Sequence, residues 1–305
     1  MANLREINIR WITWIDWVNL DKKQIYEVVK DYDFHELDIE ACLEENQRAR
    51  VDKYDEYLFI IFNFPKYNSK LWVYDLNEFN IFLWKDFIIT FRTFEANHID
   101  KLFEKYKKLD IDDDASLKFT TWFILYEIMQ SMLEKMFKVL DNNARDLKIL
   151  EKEVFINTSS NLVQKIMIKK RNIIYLKHMF KPQVSVLKLI ELNINNLFKW
   201  MMELYFEDLE DKLDYIVNYL NIQEENISSI EDAFTSIINV KTNSVIKFLT
   251  LFSAFLLPLT LITSFYWMNI KLPYQDNPEF FYTIFFISTI FMILTILFMK
   301  IKWKL

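Results

Sequence analysis

Neutral oxygens recur at a fixed spacing along one stretch of this chain. Starting at Asn243, the stripe runs Asn243, Ile246, Thr250, Ser253, Leu257, Thr260, Ser264, Trp267, in steps of 3, 4, 3, 4, 3, 4 and 3. At about 100° per residue these positions stay within about 120° of a helix surface, and their 3.5-residue average is the period of a left-handed helix bundle. The tetrapeptide Tyr266-Trp267-Met268-Asn269 closes the run with a second amide. Such a face supports two kinds of chemistry. Small polar residues at this spacing pack helices together through close approach and hydrogen bonds. Alternatively, they line a water-filled pore and offer oxygens to a passing solute. One chain with two spans cannot enclose a pore by itself, so the second reading requires an oligomer.

The stripe lies in an uncharged stretch of 23 residues, Phe248 to Ile270, and a second uncharged stretch of 20 follows, Phe280 to Met299. A bilayer core of about 30 Å takes about 20 helical residues, so both are predicted spans; a buried helical hairpin in a soluble protein is the competing reading. The nine residues between them include Lys271, Pro273, Asp276, Pro278 and Glu279 and form a polar turn. Lys241 and Lys247 precede the first span, and Lys300, Lys302 and Lys304 follow the second. The positive-inside rule then predicts an inner (plasma) membrane protein with both termini in the cytoplasm and the turn outside. The second span has phenylalanines all round it, at Phe280, Phe281, Phe285, Phe286, Phe291 and Phe298, and reads as a lipid-facing outer helix.

The 305 residues are 52% hydrophobic and 26% charged, and the charge falls almost wholly before Phe248. That predicts a large soluble portion with a small membrane portion. A net charge of −6 argues against nucleic acid as a partner. One cysteine, Cys42, excludes a disulfide framework and a Cys-based zinc site. The three histidines, His35, His98 and His178, are far apart and read as structural. Residues Met1 to Glu6 carry no apolar signal-peptide core. With no catalytic constellation or phosphate loop visible, an enzyme is not expected, nor a cofactor. Glycine is absent, so left-handed positions fall to other residues, and the abundant Asn is the expected substitute.

Strand patterns cover Tyr57–Phe64, Leu71–Tyr74, Phe79–Trp84 and Phe87–Arg92, with Lys85-Asp86 as a tight hairpin turn. Short helices are predicted at Lys22–Lys30 and Glu36–Glu45. Helical spacing then takes over across Ser116–Phe155, and Asn157-Thr158-Ser159-Ser160 supplies caps for a second long helix that Pro182 interrupts or kinks. A third pattern starts near Asn195 and meets no breaker before the first span, so it is predicted to continue into the membrane as one helix. The division expected is an α/β cytoplasmic domain over 1–115, long helices including a stalk over 116–243, and a membrane domain over 244–305. Within the last, the first span covers about 245–268, the outer loop 269–279, the second span 280–299 and a basic tail 300–305.

The residues resemble the CorA family of magnesium channels over nearly the whole chain. The run Pro258-Leu259-Thr260-Leu261-Ile262-Thr263-Ser264-Phe265-Tyr266-Trp267-Met268-Asn269 is similar to that family's pore helix and its Tyr-Gly-Met-Asn ending. Phe34-His35-Glu36-Leu37, Asn46-Gln47-Arg48, Tyr57-Leu58-Phe59-Ile60, Ile81–Thr90 and Tyr205-Phe206-Glu207-Asp208 match further pieces in order, and Lys300–Leu305 resembles the basic tail. Two departures stand out: Trp267 replaces the family's glycine, and Tyr274 follows Pro273 where many relatives have Glu.

The resemblance implies a funnel-shaped homopentamer in the bilayer, passing Mg²⁺ down the membrane potential, with Co²⁺ or Ni²⁺ as substitutes. It implies an outer oxygen ring at Asn269, with Met268 and Trp267 beside it, and further rings at Thr260, Ser253 and Asn243. Mg²⁺ sheds water reluctantly, so neutral amide oxygens suit the hydrated ion. Leu249 or Leu257 supplies an apolar constriction, or ordinary packing, Ile246 is a further pore-lining position, and Lys247 with Lys300, Lys302 and Lys304 forms a basic collar. Asp232 falls where the family has an interface carboxylate for regulatory Mg²⁺, or is solvated surface; Asp110, Asp112, Asp113 and Asp114 read as a solvated loop. For Asn269 a left-handed helix C-cap competes. The alternatives in function are a ZntB-like zinc transporter, although Met268 stands where those relatives usually have Val or Ile, and a non-conducting membrane scaffold or cation sensor, which Trp267 motivates.

Overall fold

The computed structural model describes residues 3–18, 22–29, 32–44, 47–92, 94, 96–108, 120–156, 158–195, 202–269 and 277–303. Two compact units divide it, Met1–Glu231 and Asp232–Leu305.

In the first unit, β1 (Asn3–Ile9), β2 (Ile12–Val18), β3 (Arg50–Lys53), β4 (Leu58–Asn68), β5 (Val73–Leu83) and β6 (Phe87–Arg92) form one sheet in the order β1-β2-β6-β5-β4-β3. Only β2 and β6 run parallel. Central strands covered on both faces read as continuous apolar runs rather than alternating ones. Leu58–Phe64 and Phe79–Leu83 are such runs, apolar but for Asn63 and Asn80, and every residue in them is buried. One face packs Trp17, Phe59, Phe82, Ile89 and Phe91 beneath Ile25 of α1 (Lys22–Val29) and Ala41 of α2 (Glu36–Leu43). Each such side chain contributes about 1.5–3 kcal/mol on burial. His35 caps α2: its Nδ1 accepts from Leu37 N–H at 3.2 Å.

The other face meets α3 (Asn97–Lys107), whose Phe103 and Tyr106 contact Trp14 at 5.0 and 5.8 Å. Two long helices follow, α4 (Thr121–Ile156) and α5 (Ser160–Asn195). The α5 side chain of Gln183 reaches the sheet, donating from Nε2 to the Asn63 carbonyl at 2.8 Å. The N-terminal part of α6 (Glu203–Trp267) buries Phe206, Leu209, Leu213, Ile216, Leu220 and Ile227 at helical spacing. Gln223 Nε2 donates to the Leu140 carbonyl at 2.8 Å, and Lys177–Glu224 and Lys170–Glu231 pair α5 with α6 at 2.6 Å each.

A buried ionic lock ties the β1–β2–β6 edge to α3. Asp16 is fully buried and accepts from Arg92 Nη2 at 2.9 Å, from Thr90 Oγ1 at 2.8 Å and from Arg5. Asp100 on α3 takes both guanidiniums, Arg92 at 2.6 Å and Arg5 at 2.8 Å.

In the second unit α6 continues to Trp267, and α7 (Pro278–Trp303) follows. Pro278 occupies the first helical position, where a missing N–H costs nothing, and Asn277 Oδ1 accepts from Glu279 N–H at 3.0 Å. Of the described helices, α6 contains a stretch long and apolar enough to cross a membrane, and α7 carries a further apolar stretch over Pro278–Leu294.

Several local expectations need correction. Leu71 and Trp72 lie in a turn, and the strand beginning at Val73 runs unbroken to Leu83 as β5. Of the two readings of Pro182, interruption falls, since helix α5 passes through it without ending. The third long helix starts at Glu203 rather than near Asn195. Among the described residues the positive-φ positions are Arg10 (54°) and Trp72 (58°), not Asn. Trp72 is held by its carbonyl, which accepts from Asn172 Nδ2 at 2.9 Å. The cluster at Asp110, Asp112, Asp113 and Asp114 lies outside the described residues.

Candidate functional site

The proposed oxygen stripe lies on a single uninterrupted helix, since α6 carries every position from Asp232 to Trp267. Two faces of its apolar part differ in exposure. Leu251, Ala254, Pro258, Ile262 and Tyr266 are half-buried. Opposite them on α7, Phe281, Ile284 and Ser288 are half-buried and Met292 is buried. The Tyr266 and Phe281 rings meet edge to face at 4.9 Å, which fixes this as the face of α6 turned toward α7.

The stripe lies about 140° round the helix from that face, at 100° per residue. Asn243, Thr250, Ser253, Thr260 and Ser264 are exposed, as are Ile246 and Leu249, while Leu257 is 67% and Trp267 90% exposed. Packing against the chain's own second apolar helix therefore does not account for the stripe. The residues that do pack, Leu251 through Tyr266, have helical spacing of their own, but among so many apolar neighbours nothing in the sequence singles them out.

The threonine oxygens are prepared in one polarity. Thr250 Oγ1 donates to the Ile246 carbonyl and Thr260 Oγ1 to the Leu256 carbonyl, both at 2.8 Å. A hydroxyl has one proton and two lone pairs. With the proton spent inside the helix, each oxygen turns acceptor capacity outward. Acceptors suit the water shell of a cation, whose hydrogens point away from the ion. Pro258, inside α6, cannot donate to the Ala254 carbonyl.

The last turn tightens, with Met268 N–H donating to the Phe265 carbonyl at 3.2 Å. Met268 and Asn269 are both exposed. Asn269 is not among the positive-φ residues, so a left-handed cap is not its role and its amide serves no αL turn. Lys247 and Asp232 are exposed on α6. Lys300 and Lys302 fall on the α7 backbone without described side chains, and Lys304 lies outside the described residues. Among the described residues no group of three His, Cys, Asp or Glu side chains converges as a metal site.

The family model described as "CorA-like Mg2+ transporter protein" matches residues 11–301. The chain is 24% identical, over 95% of its length and 83% of the relative's, to a protein from Thermotoga maritima named cobalt/magnesium transport protein CorA. Its fold is similar to the complete structure of the CorA magnesium transporter from Methanocaldococcus jannaschii, with TM-score 0.78 at 20% identity, covering 95% of this chain and 90% of that one. It is also similar to the ZntB cytoplasmic domain from Vibrio parahaemolyticus, with TM-score 0.62 at 13% identity, over 78% of this chain and 99% of that one.

Proposed function

The chain belongs to the CorA-like Mg²⁺ transporter family, and from that premise we propose that it passes Mg²⁺ through a pore lined by α6 in a homopentamer. The observation that carries this reading is the exposed stripe, set away from α7, with its threonine donors turned inward. Repeated around an axis, Asn269 forms an outer ring of amide oxygens that receive hydrogen bonds from the hydrated ion without stripping it. Thr260, Ser253 and Asn243 repeat the same chemistry toward the cytoplasm. Neutral oxygens hold the ion weakly enough to let it leave. Leu257, Leu249 and Ile246 provide apolar collars between the oxygen rings, where a column of water breaks when the pore narrows. Trp267 and Met268 flank the outer ring.

Both termini lie in the cytoplasm in this reading, with Lys247, Lys300, Lys302 and Lys304 at the inner mouth. Asp232, exposed on the stalk, meets a neighbouring subunit and shares regulatory Mg²⁺ there. Co²⁺ and Ni²⁺, of similar size and charge, follow the same path. The test is Asn269→Ala in proteoliposomes: Mg²⁺ entry is lost, and unchanged flux refutes the ring.

A second reading rests on the likeness of the soluble unit to the ZntB domain. Zinc flux accelerated by a proton gradient, with no Mg²⁺ flux, establishes it instead. A third, a non-conducting scaffold or cation sensor, rests on Trp267 alone; it is established if the wild type passes no ion while Trp267→Gly does.

A further inference from the structure

The sheet, α3 and α4 line a half-open cavity of about 190 Å³ in the first unit, remote in sequence from the striped helix. Its walls are mainly apolar, with Phe64, Phe94, Met132 and Met136 among them. The polar exceptions are His98 on α3, Lys135 on α4, and Lys66 and Asn77 on the sheet.

Both ring nitrogens of His98 are buried, and neither has a hydrogen-bond partner among the described residues. A buried polar atom without a partner costs about 1–3 kcal/mol, so native proteins rarely leave two on one ring. Burial, followed by the charges of Lys135 and Arg92, pushes the His98 pKa down to about 4. The ring is therefore neutral at pH 7, with one N–H to give. Lys135, exposed on α4, makes no ion pair with any described residue, and its pKa is also lowered, by desolvation first. Asp100, the nearby acid, is taken up by Arg5 and Arg92.

The start of α3 adds a third donor set. Ala96 is its N-cap and offers no side-chain acceptor to the first-turn N–H groups, and Ala96 lines the same cavity. Amides at a helix N-terminus favour negative charge. An imidazole N–H, the Lys135 and Lys66 side chains and the first turn of α3 thus border one pocket whose walls are otherwise mainly apolar.

We propose that this cavity binds a small organic carboxylate, its head held by His98, Lys135 and the α3 N-terminus and its body packed against Met132 and Met136. A cation is disfavoured there by Lys135. An inorganic anion meets the same donors but leaves the apolar walls unused, so affinity for a carboxylate with a short hydrocarbon tail exceeds that for phosphate or chloride. The inference does not depend on which ion the chain transports.

The test is equilibrium dialysis of labelled butyrate against the full-length protein in phospholipid nanodiscs, with protein-free nanodiscs as the blank. Butyrate is retained above the blank, and His98→Phe and Lys135→Met each weaken retention at least tenfold. His98→Phe replaces two unpartnered nitrogens by hydrocarbon, so its melting temperature is not lower than the wild type's, which separates lost binding from lost folding. Retention equal to the blank overturns the proposal, as does undiminished binding by His98→Phe. Displacement of butyrate by equimolar phosphate or chloride also overturns it, by showing a site for inorganic anions.

Discussion

Arg92→Met removes the centre of the buried lock that joins the β1–β2–β6 edge to α3. The Arg92 side chain is 1% exposed and that of Asp16 is 0% exposed, with 2.9 Å between them. Deleting one partner of such a pair leaves the other charge buried, at a cost of about 3–5 kcal/mol. Arg5 still reaches Asp16 and Asp100, so the lower end applies, about 3 kcal/mol. For a unit of this size 1 kcal/mol shifts the melting temperature by about 2–4 °C, so the expected fall is about 6–12 °C. The buried indoles of Trp14 and Trp17 flank Asp16 on β2 and report the transition by fluorescence. Adding Asp16→Asn neutralises the stranded charge, so the double variant loses less than the sum of the two single losses. A fall under about 2 °C refutes the reasoning, and so does strict additivity.

Acid weakens the same lock. Desolvation acts to raise the Asp100 pKa, but hydrogen bonds and charge from Arg92 and Arg5 outweigh it and hold the carboxyl below its ordinary value. A depressed carboxyl adds stability above its unfolded pKa and loses it as pH falls through the folded value. The melting-temperature gap between wild type and Arg92→Met is therefore widest near neutrality and closes in acid, which melts across a pH series measure. Trp267→Gly removes a side chain that is 90% exposed, so the melting temperature moves by no more than a few degrees. Mg²⁺ flux in proteoliposomes rises severalfold as the outer mouth widens, and unchanged flux takes the indole out of the pathway.

Legibility in the sequence followed the strength of local signals. β6 and the Lys85-Asp86 turn were readable because apolar runs with a short polar break have few alternative structures. β1 and β2 were not, because Arg10 makes their turn and no Gly, Pro or Asn marks it. β2 is also buried on both faces, which erases the period-2 signal. Trp72 hid the start of β5 in the same way: a chain without glycine places bulky residues at positive φ wherever tertiary contacts hold them. Pro182 was readable as an interruption or a kink, and α5 runs through it, with the neighbouring Gln183 anchoring the helix to β4. The stripe on α6 was fully legible because it needs only spacing. Which face turned toward α7 was not, since that depends on the Tyr266–Phe281 contact between helices. The lock at Asp16, Arg92, Arg5 and Asp100 joins residues up to 95 apart in sequence, and no local pattern announces it.

The central claim is that the exposed stripe of α6, and not the face against α7, lines the ion path. Mg²⁺ flux should be measured in proteoliposomes carrying Thr260→Cys or Ile262→Cys, each in a Cys42→Ser background, before and after a membrane-impermeant cationic thiol reagent. Block of Thr260→Cys with Ile262→Cys unaffected is the predicted result. Equal block of both, or block of Ile262→Cys alone, contradicts the account.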